Sequence, residues 1–192
     1  MAAVTHRELR SDCARCCGLC CTGPAFDSSQ GFGYDKPAHR PCRHLDLDHR
    51  CGIHADREAH GFIGCIGFEC FGAGQWVAQR FGGGQGWRSS PEQAAMLFAA
   101  YRRFLVLHEL LAMIDVAQRA QPRDPAIVAQ LHEEVAQVCE TEERSPGAQD
   151  LPALRARVIA VLGEQLTRPS APADQVPQKV CSTRSPAAGG CS

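Results

Sequence analysis

Apolar residues recur at helical spacing through the second half of the chain. The segment SSPEQ predicts the start of a helix, with Ser90 as N-cap, Pro91 in the first turn and Gln93 three residues after the cap. This helix should end near Ala120, before Pro122. Residues at helical spacing along it are Leu97, Tyr101, Phe104, Leu105, His108, Leu111 and Met113.

Two further helices are predicted by the same signals. Asp124 and Pro125 mark the start of the second, and Asp150 or Leu151 begins the third. Short loops join the three helices, which favours an antiparallel helical arrangement. The apolar faces consist of Ile127, Leu131, Val135 and Val138 on the second helix, and Leu154, Val158, Val161 and Leu162 on the third.

The first half of the chain lacks such periodicity. Residues 13 to about 90 are rich in Cys, Gly, His and Pro, which predicts irregular structure. The glycine-rich segments FGAGQWV and FGGGQGW are predicted to be loops, and neither continues into a phosphate-binding motif. We expect the aromatic residues beside them to pack onto the helices; these are Trp76, Phe81 and Trp87.

Residues 168–192 are mainly polar and small, with almost no large apolar side chain. Such a segment buries too little surface to offset its ordering entropy, so it is predicted to be disordered. The sequence therefore predicts a mostly α fold in three parts. A small irregular region stapled by metal spans residues 1–90, a helical region of about three helices spans residues 91–167, and the disordered tail follows.

Charge and hydropathy narrow the class of protein. The net charge of the 192 residues is −1, which gives no support for binding nucleic acid or an acidic membrane surface. No apolar run approaches the roughly 20 residues that span a bilayer. The start, MAAVTHRELRSD, lacks the apolar core of a signal peptide, so a cytoplasmic location is expected. Thiols stay reduced there, and clustered cysteines then favour metal binding or redox chemistry.

Nine of the twelve cysteines lie between Cys13 and Cys70, in the groups CARCCGLCC, PCRHLDLDHRCGIH and GCIGFEC. Cys13 with Cys16, and Cys17 with Cys20, have the C-x2-C spacing of zinc and iron sites. Zinc or iron, including an iron–sulfur cluster, is therefore the expected cofactor. The alternatives are reduced cysteines buried as small apolar residues, or a network of disulfides.

The order of these groups resembles a known family. C-x2-C followed by G-x-C-C, then C-G-I, then G-C and a final C, is similar to the YkgJ family of cysteine-cluster domains, described as zinc- or iron-chelating. Flagellin N-methylase also belongs to that family. The segments DKPAHRPCRHLD, RCGIHADREAHGFIGC and ECFGAGQWVAQRFGG further resemble the N-terminal segment of certain actinobacterial pentapeptide-repeat proteins, although the repeats themselves are absent here.

The resemblance implies eight metal ligands. Cys17 is additional to the family pattern, which has one residue fewer between its second and third cysteines, so either Cys16 or Cys17 could be the ligand. His54 falls where the family often has tyrosine, which argues against it as a ligand. The ligands implied are Cys13, Cys16, Cys20, Cys21, Cys42, Cys51, Cys65 and Cys70.

Three functions are compatible with these features. The first is a small intracellular protein whose cysteine cluster binds zinc or iron. The second is a metal-dependent modification enzyme, as the resemblance to flagellin N-methylase implies, although the sequence contains no recognisable acid–base pair or cofactor loop. The third is a protein-interaction module in which the helical face of Leu97, Leu105 and Leu111 binds a partner.

Four further histidine and cysteine residues are not expected to be ligands. His108 lies in LHELLA without a second histidine four residues on, so it is expected to be a partly buried helical residue. Cys139 is expected in the core of the second predicted helix. Cys181 and Cys191 lie in the tail and are expected to be spare.

Overall fold

The computed structural model of the protein describes residues 9–83 and 86–167. These residues are mostly α-helical, as predicted, with two isolated β-bridges and no strand among them. Single 3-10 turns lie at Cys13–Arg15, Ser28–Gln30 and Gly86–Arg88. The α-helices are α1 (Leu19–Thr22), α2 (Ile63–Gly67), α3 (Ala73–Phe81), α4 (Pro91–Arg119), α5 (Pro125–Arg144) and α6 (Leu151–Leu166).

The three long helices begin at their predicted caps. The Ser90 side chain accepts the backbone N–H of Gln93, 3.1 Å away. Asp124 and Asp150 cap α5 and α6 in the same way. These carboxylates and the serine hydroxyl satisfy N–H groups that have no partner within the helix, so each start is determined locally.

Helix α4 lies at the centre of the fold and packs against α3, α5 and α6. Its prominent buried side chains include Leu97, Phe104, Leu107, Leu111 and Ile114. A much smaller core lies in the cysteine-rich half, around Phe26, Cys42 and Phe62. Most of the apolar burial therefore belongs to the helical half.

One predicted face, that of α5, differs from the observed face at two of its four positions. On α5 the buried apolar side chains are Val128, Leu131, Val135 and Cys139, whereas Ile127 is 39% exposed and Val138 is half-buried. Neighbouring positions on a helix differ by about 100°. Ile127 and Val128 are adjacent and both apolar, so the sequence allows either one to face α4. Packing against α4 selects Val128. Cys139 is a core residue, as expected.

The prediction of a loop at FGAGQWV is wrong, because residues from Ala73 onward form α3. Phe71 and Gly72 have φ of 49° and 82°, which turns the chain into the helix. Glycines lower helix propensity, but the tertiary contacts outweigh that cost. The predicted aromatic packing is confirmed, since the rings of Trp76 and Phe81 lie against Phe104, and Trp87 lies against Phe98.

The predicted tail and the expected absence of a membrane span are considered next. The tail predicted for residues 168–192, with Cys181 and Cys191, lies outside the described residues. Within residues 9–83 and 86–167, no helix combines the length and the apolarity that crossing a membrane requires. The boundaries predicted at residues 90 and 167 stay predictions of domain organisation.

Candidate metal centre

Backbone hydrogen bonds draw the cysteine groups together. The N–H of Cys42 donates to the carbonyl of Cys21, 2.9 Å away, which joins the first group to the second. An isolated bridge pairs Leu45 with Cys51 and folds the second group into a hairpin-like loop. The guanidinium of Arg50 then donates to the carbonyl of Cys13, 2.8 Å away. Residues 37 positions apart are thus held side by side.

One cavity of about 700 Å³ collects the predicted ligands. All eight lie on its wall, and the described cysteines are free thiols rather than disulfides. The two described cysteines away from the cavity are Cys17 and Cys139. The cavity is lined by Cys13, Cys16, Cys20, Cys21, Cys42, Cys51, Cys65 and Cys70.

The sulfurs meet as a pair rather than as a closed ligand set. Cys20 Sγ and Cys21 Sγ are 3.8 Å apart. Two thiolates on one tetrahedral zinc stand at about this separation, given Zn–S bonds of about 2.3 Å. In the part of the chain described, no three or more His, Cys, Asp or Glu side chains are close enough together to hold a metal ion as they stand. Binding an ion through three or more of these thiols therefore requires their sulfurs to come closer together.

The first turn of α3 forms one corner of the site. A Cβ placed on Gly74 would stand 2.9 Å from Cys16 Sγ and 3.6 Å from Cys70 Sγ, so both sulfurs lie against this glycine. The hydroxyl of Ser11 is 2.9 Å from Cys70 Sγ and also contacts the carboxylate of Glu69. A serine hydroxyl at this distance can orient a thiolate ligand.

Burial raises the pKa of several of these thiols. The pKa of Cys16 is raised to about 12 by burial, with a further contribution from Cys20. The pKa of Cys65 is raised to about 11 by burial and then by Cys20, Cys42 and Cys51. Thiolates so close together repel one another unless a cation balances their charge. The arrangement therefore suits a positive ion better than free thiolates.

Positively charged side chains surround the thiols. Arg57 donates to the carbonyls of His54 and Cys65, and its charge lowers the pKa of Cys65 against the effect of burial. Lys36 is 4% exposed, and its Nζ lies within 3.4 Å of four carbonyl oxygens. A metal bound by four thiolates carries net negative charge, which these groups would offset.

Cys17 lies in a different environment from its neighbours. It is buried in the main core. Gly86 lies close to it, since a Cβ on Gly86 would stand 2.9 Å from Cys17 Cβ. The indole N–H of Trp87 donates to its carbonyl, 2.8 Å away. Its apolar surroundings agree with the expectation that it is not a ligand, and that assignment stays a prediction.

Three of the described histidines line the cavity, and His108 lies in the core. His54 is exposed on the cavity wall, to which His44 and His49 also belong. His108 is fully buried on α4, more deeply than expected, with Nδ1 2.7 Å from the carbonyl oxygen of Phe71. His108 therefore connects α4 to the turn before α3 and does not line the cavity.

The helical face proposed for partner binding is used inside the protein. Leu97 and Leu111 are completely buried, and Leu105 is partly buried against the same core. The interaction-module hypothesis was based on these three side chains being available, so it loses its basis.

Several residues at the site carry little signal in the sequence. Ser11 lies two positions before Cys13 and could have been suspected from that proximity alone. Gly74 packs against the sulfur of Cys16, 58 positions earlier in the chain, and Lys36 is not a type of residue that marks a metal site, so no spacing rule identifies either residue.

Comparison with known proteins identifies relatives that share part of the chain. YybG of Bacillus subtilis (strain 168) is 43% identical over 106 residues, which are 55% of this chain and 38% of YybG. UPF0153 protein YeiW of Escherichia coli (strain K12) is 44% identical over 43 residues, 22% of this chain and 51% of YeiW. The chain thus spans about half or less of these two relatives.

A third relative is matched over more of its length. UPF0153 protein PA1578.1 of Pseudomonas aeruginosa is 38% identical over 56 residues, which are 29% of this chain and 67% of that protein. No family model and no solved structure matches the chain. The relatives agree with the wider resemblance to a cysteine-cluster family, and none of the three names refers to pentapeptide repeats. The chain belongs to the cysteine-rich UPF0153 family.

Proposed function

We propose that the protein binds zinc or iron through its cysteine cluster, in a reducing compartment such as the cytoplasm. The observation that carries this proposal is the common cavity lined by all eight cysteines that the family pattern implies as ligands. The ligands proposed are Cys13, Cys16, Cys20, Cys21, Cys42, Cys51, Cys65 and Cys70. Eight thiolates suffice for two four-thiolate ions or for one cluster with shared ligands.

The selection of cysteines supports the proposal. If these thiols were simply small apolar residues, the family pattern would not be expected to separate the cysteines that line the cavity from those that do not. Instead Cys17 and Cys139, the two that the pattern leaves out, are the two away from the cavity. Cys139 lies on α5 in the helical core.

The weak core of the first half also supports it. The cluster around Phe26, Cys42 and Phe62 is small, and the segment between α1 and α2 has few other buried apolar side chains. Ligand bonds to a metal contribute folding free energy where apolar burial is insufficient. We therefore propose that the metal stabilises residues 13–70.

The test is elemental analysis of protein purified without oxygen, with absorption spectra. We expect at least one equivalent of zinc or iron per chain, and visible absorption if the metal is in an iron–sulfur cluster. Cys139→Ser is the matched control, since it changes a buried cysteine away from the cavity and should keep the metal. Protein that is folded and metal-free, with every thiol open to titration, would contradict the proposal.

A metal-dependent modification enzyme is the second candidate. One observation favours it: a cavity of about 700 Å³ is within the range of small-molecule sites and exceeds the space that an ion occupies. Part of its wall is apolar, formed by Phe26, Phe32 and Phe62. A metal with an exchangeable position would supply Lewis-acid chemistry there.

Cobalt substitution distinguishes the two candidates. A closed four-thiolate Co²⁺ site should give a visible spectrum that azide does not change. An exchangeable position should instead give a spectrum that shifts on addition of azide. An unchanged spectrum would count against the enzyme and leave the metal-binding proposal standing.

A further inference from the structure

Tyr101 is a core residue of α4 with a polar atom in an unusual position. Its side chain is 2% exposed, and its hydroxyl has no hydrogen-bond partner among the described residues. A buried hydroxyl is costly unless it is paired, and tyrosine is normally used in a core where its O–H reaches an acceptor. The position of Tyr101 therefore calls for an acceptor near the hydroxyl.

The surroundings of Tyr101 point to the cysteine cluster. Its ring lies over the end of α1, where a Cβ on Gly23 would stand 3.6 Å from Tyr101 Cδ1. Helix α1 carries Cys20 and Cys21, and α4 contacts both α1 and α3. Cys70 belongs to the same buried core as Tyr101.

Three cysteines of the cluster border the core that contains Tyr101, since Cys70 is buried in it and Cys16 and Cys20 pack against it. Burial raises the pKa of Tyr101 well above its usual value, and negative charge on four cysteines raises it further. In order of effect these are Cys20, Cys70, Cys16 and Cys21. All four line the cavity.

We propose that the Tyr101 hydroxyl donates a hydrogen bond to a metal-bound thiolate of this cluster, so that α4 helps to hold the metal ligands in place. The inference rests on the proposed metal-binding function. Thiolates bound to a metal remain good hydrogen-bond acceptors, and outer hydrogen bonds of this kind orient ligands and increase affinity. Tyr101 is thus a positioning residue contributed by the helical half.

The test compares Tyr101→Phe with the unchanged protein. The variant removes one hydroxyl and keeps the ring. We expect unchanged helical content and metal stoichiometry, with Zn²⁺ affinity about tenfold weaker in competition with a chromophoric chelator. The thiolate-to-metal absorption of the Co²⁺ form should also shift, because the thiolate loses a hydrogen bond.

Ile114→Val is the matched control. Ile114 is fully buried on the same helix, about 20 Å further along it. This change should lower the stability of the metal-free and Zn²⁺-bound proteins equally and leave Zn²⁺ affinity unchanged. Tyr101→Phe should instead reduce only the stabilisation that Zn²⁺ confers.

A second measurement does not depend on how the variant folds. The chain has two tyrosines, Tyr34 and Tyr101, so protein labelled with ¹³C at the tyrosine Cζ gives two signals, which Tyr34→Phe assigns. Zn²⁺ should shift the Tyr101 signal in the direction of a stronger hydrogen bond.

Equal effects of Tyr101→Phe on the metal-free and Zn²⁺-bound proteins, or a Tyr101 signal that Zn²⁺ leaves unchanged, would overturn the inference and assign the hydroxyl to a buried water. Failure of the unchanged protein to bind Zn²⁺, Co²⁺ or iron would instead overturn the proposed function.

Discussion

The sulfur of Cys16 lies directly against Gly74 in the first turn of α3. A Cβ on Gly74 would stand 2.9 Å from that sulfur, closer than real Cβ atoms approach their neighbours. Gly74 is buried, and the next nearest atom at that point is Cys70 Sγ at 3.6 Å. The absence of a side chain at Gly74 thus makes room for two of the proposed ligands.

Replacing Gly74 with alanine should therefore damage the metal site. In an ordinary helix the change favours helix formation. Here the added methyl group must displace the sulfur of Cys16, and we expect a loss of about 1–3 kcal/mol in the free energy of unfolding together with lower metal occupancy. Thermal denaturation and elemental analysis measure the two effects.

Gly163→Ala is the control for Gly74→Ala. Gly163 lies within α6, and a Cβ there would meet nothing within 4 Å. This substitution should be neutral or stabilising and should leave metal content unchanged. If both alanine variants behave alike, Gly74 does not provide space for the ligands.

Cys17 and Cys20 should respond differently to replacement by serine. Cys20 lines the cavity 3.8 Å from Cys21 Sγ, so Cys20→Ser should lower metal occupancy and cost about 2 kcal/mol or more. Cys17 is buried away from the cavity, so Cys17→Ser should keep the metal. Metal analysis of both variants and of Cys16→Ser checks the prediction. If Cys17→Ser loses the metal and Cys16→Ser keeps it, Cys17 is the ligand in place of Cys16.

Removing the metal should loosen the first half of the chain and leave α4–α6 folded. The helical core is supported by apolar packing, whereas residues 13–70 have a small core of their own. Treatment with a chelator and a reductant should therefore preserve most far-UV helical signal. Trypsin should then cut faster at the exposed Arg43 and Arg50, and slow cutting at these sites would contradict a stabilising role for the metal.

Glu142 should make the helical half sensitive to acid. Its side chain is 1% exposed and accepts hydrogen bonds from Arg103 at 2.6 Å and from the N–H groups of Gly147 and Gln149. Burial by itself would raise the pKa of Glu142, but these hydrogen bonds outweigh burial and lower it. The stabilisation is then complete above the unfolded-state pKa of about 4.3 and is lost as the pH falls through the lower folded-state pKa.

Glu142→Gln should cost about 2–4 kcal/mol at neutral pH, because it leaves Arg103 without its charged partner. The stability of the variant should also fall less steeply with pH below pH 4 than that of the unchanged protein. Far-UV circular dichroism of the metal-free proteins measures this pH dependence. Glu134, which pairs with Arg157 on the surface, provides the control. Glu134→Gln should change stability by less than about 1 kcal/mol.

The sequence by itself determined the long helices and predicted metal chemistry for the first half. Ser90, Asp124 and Asp150 each cap a helix through a hydrogen bond two or three residues away, so their effect is local and readable from neighbouring letters. The closely spaced thiols likewise indicate metal chemistry without any fold. Periodicity identified a helical α5 but not its register, since Ile127 and Val128 are both apolar.

Only the tertiary structure decided which residues share the cavity. Cys13 and Cys70 are 57 positions apart, and no rule of spacing brings them to one wall or excludes Cys17 from it. The same holds for α3, whose glycines weaken a local helix signal and whose aromatic side chains are stabilised by Phe104. Gly74 and Tyr101 matter because two helices pack against the cysteine loops, and packing between distant segments depends on the shape of the whole chain rather than on local sequence.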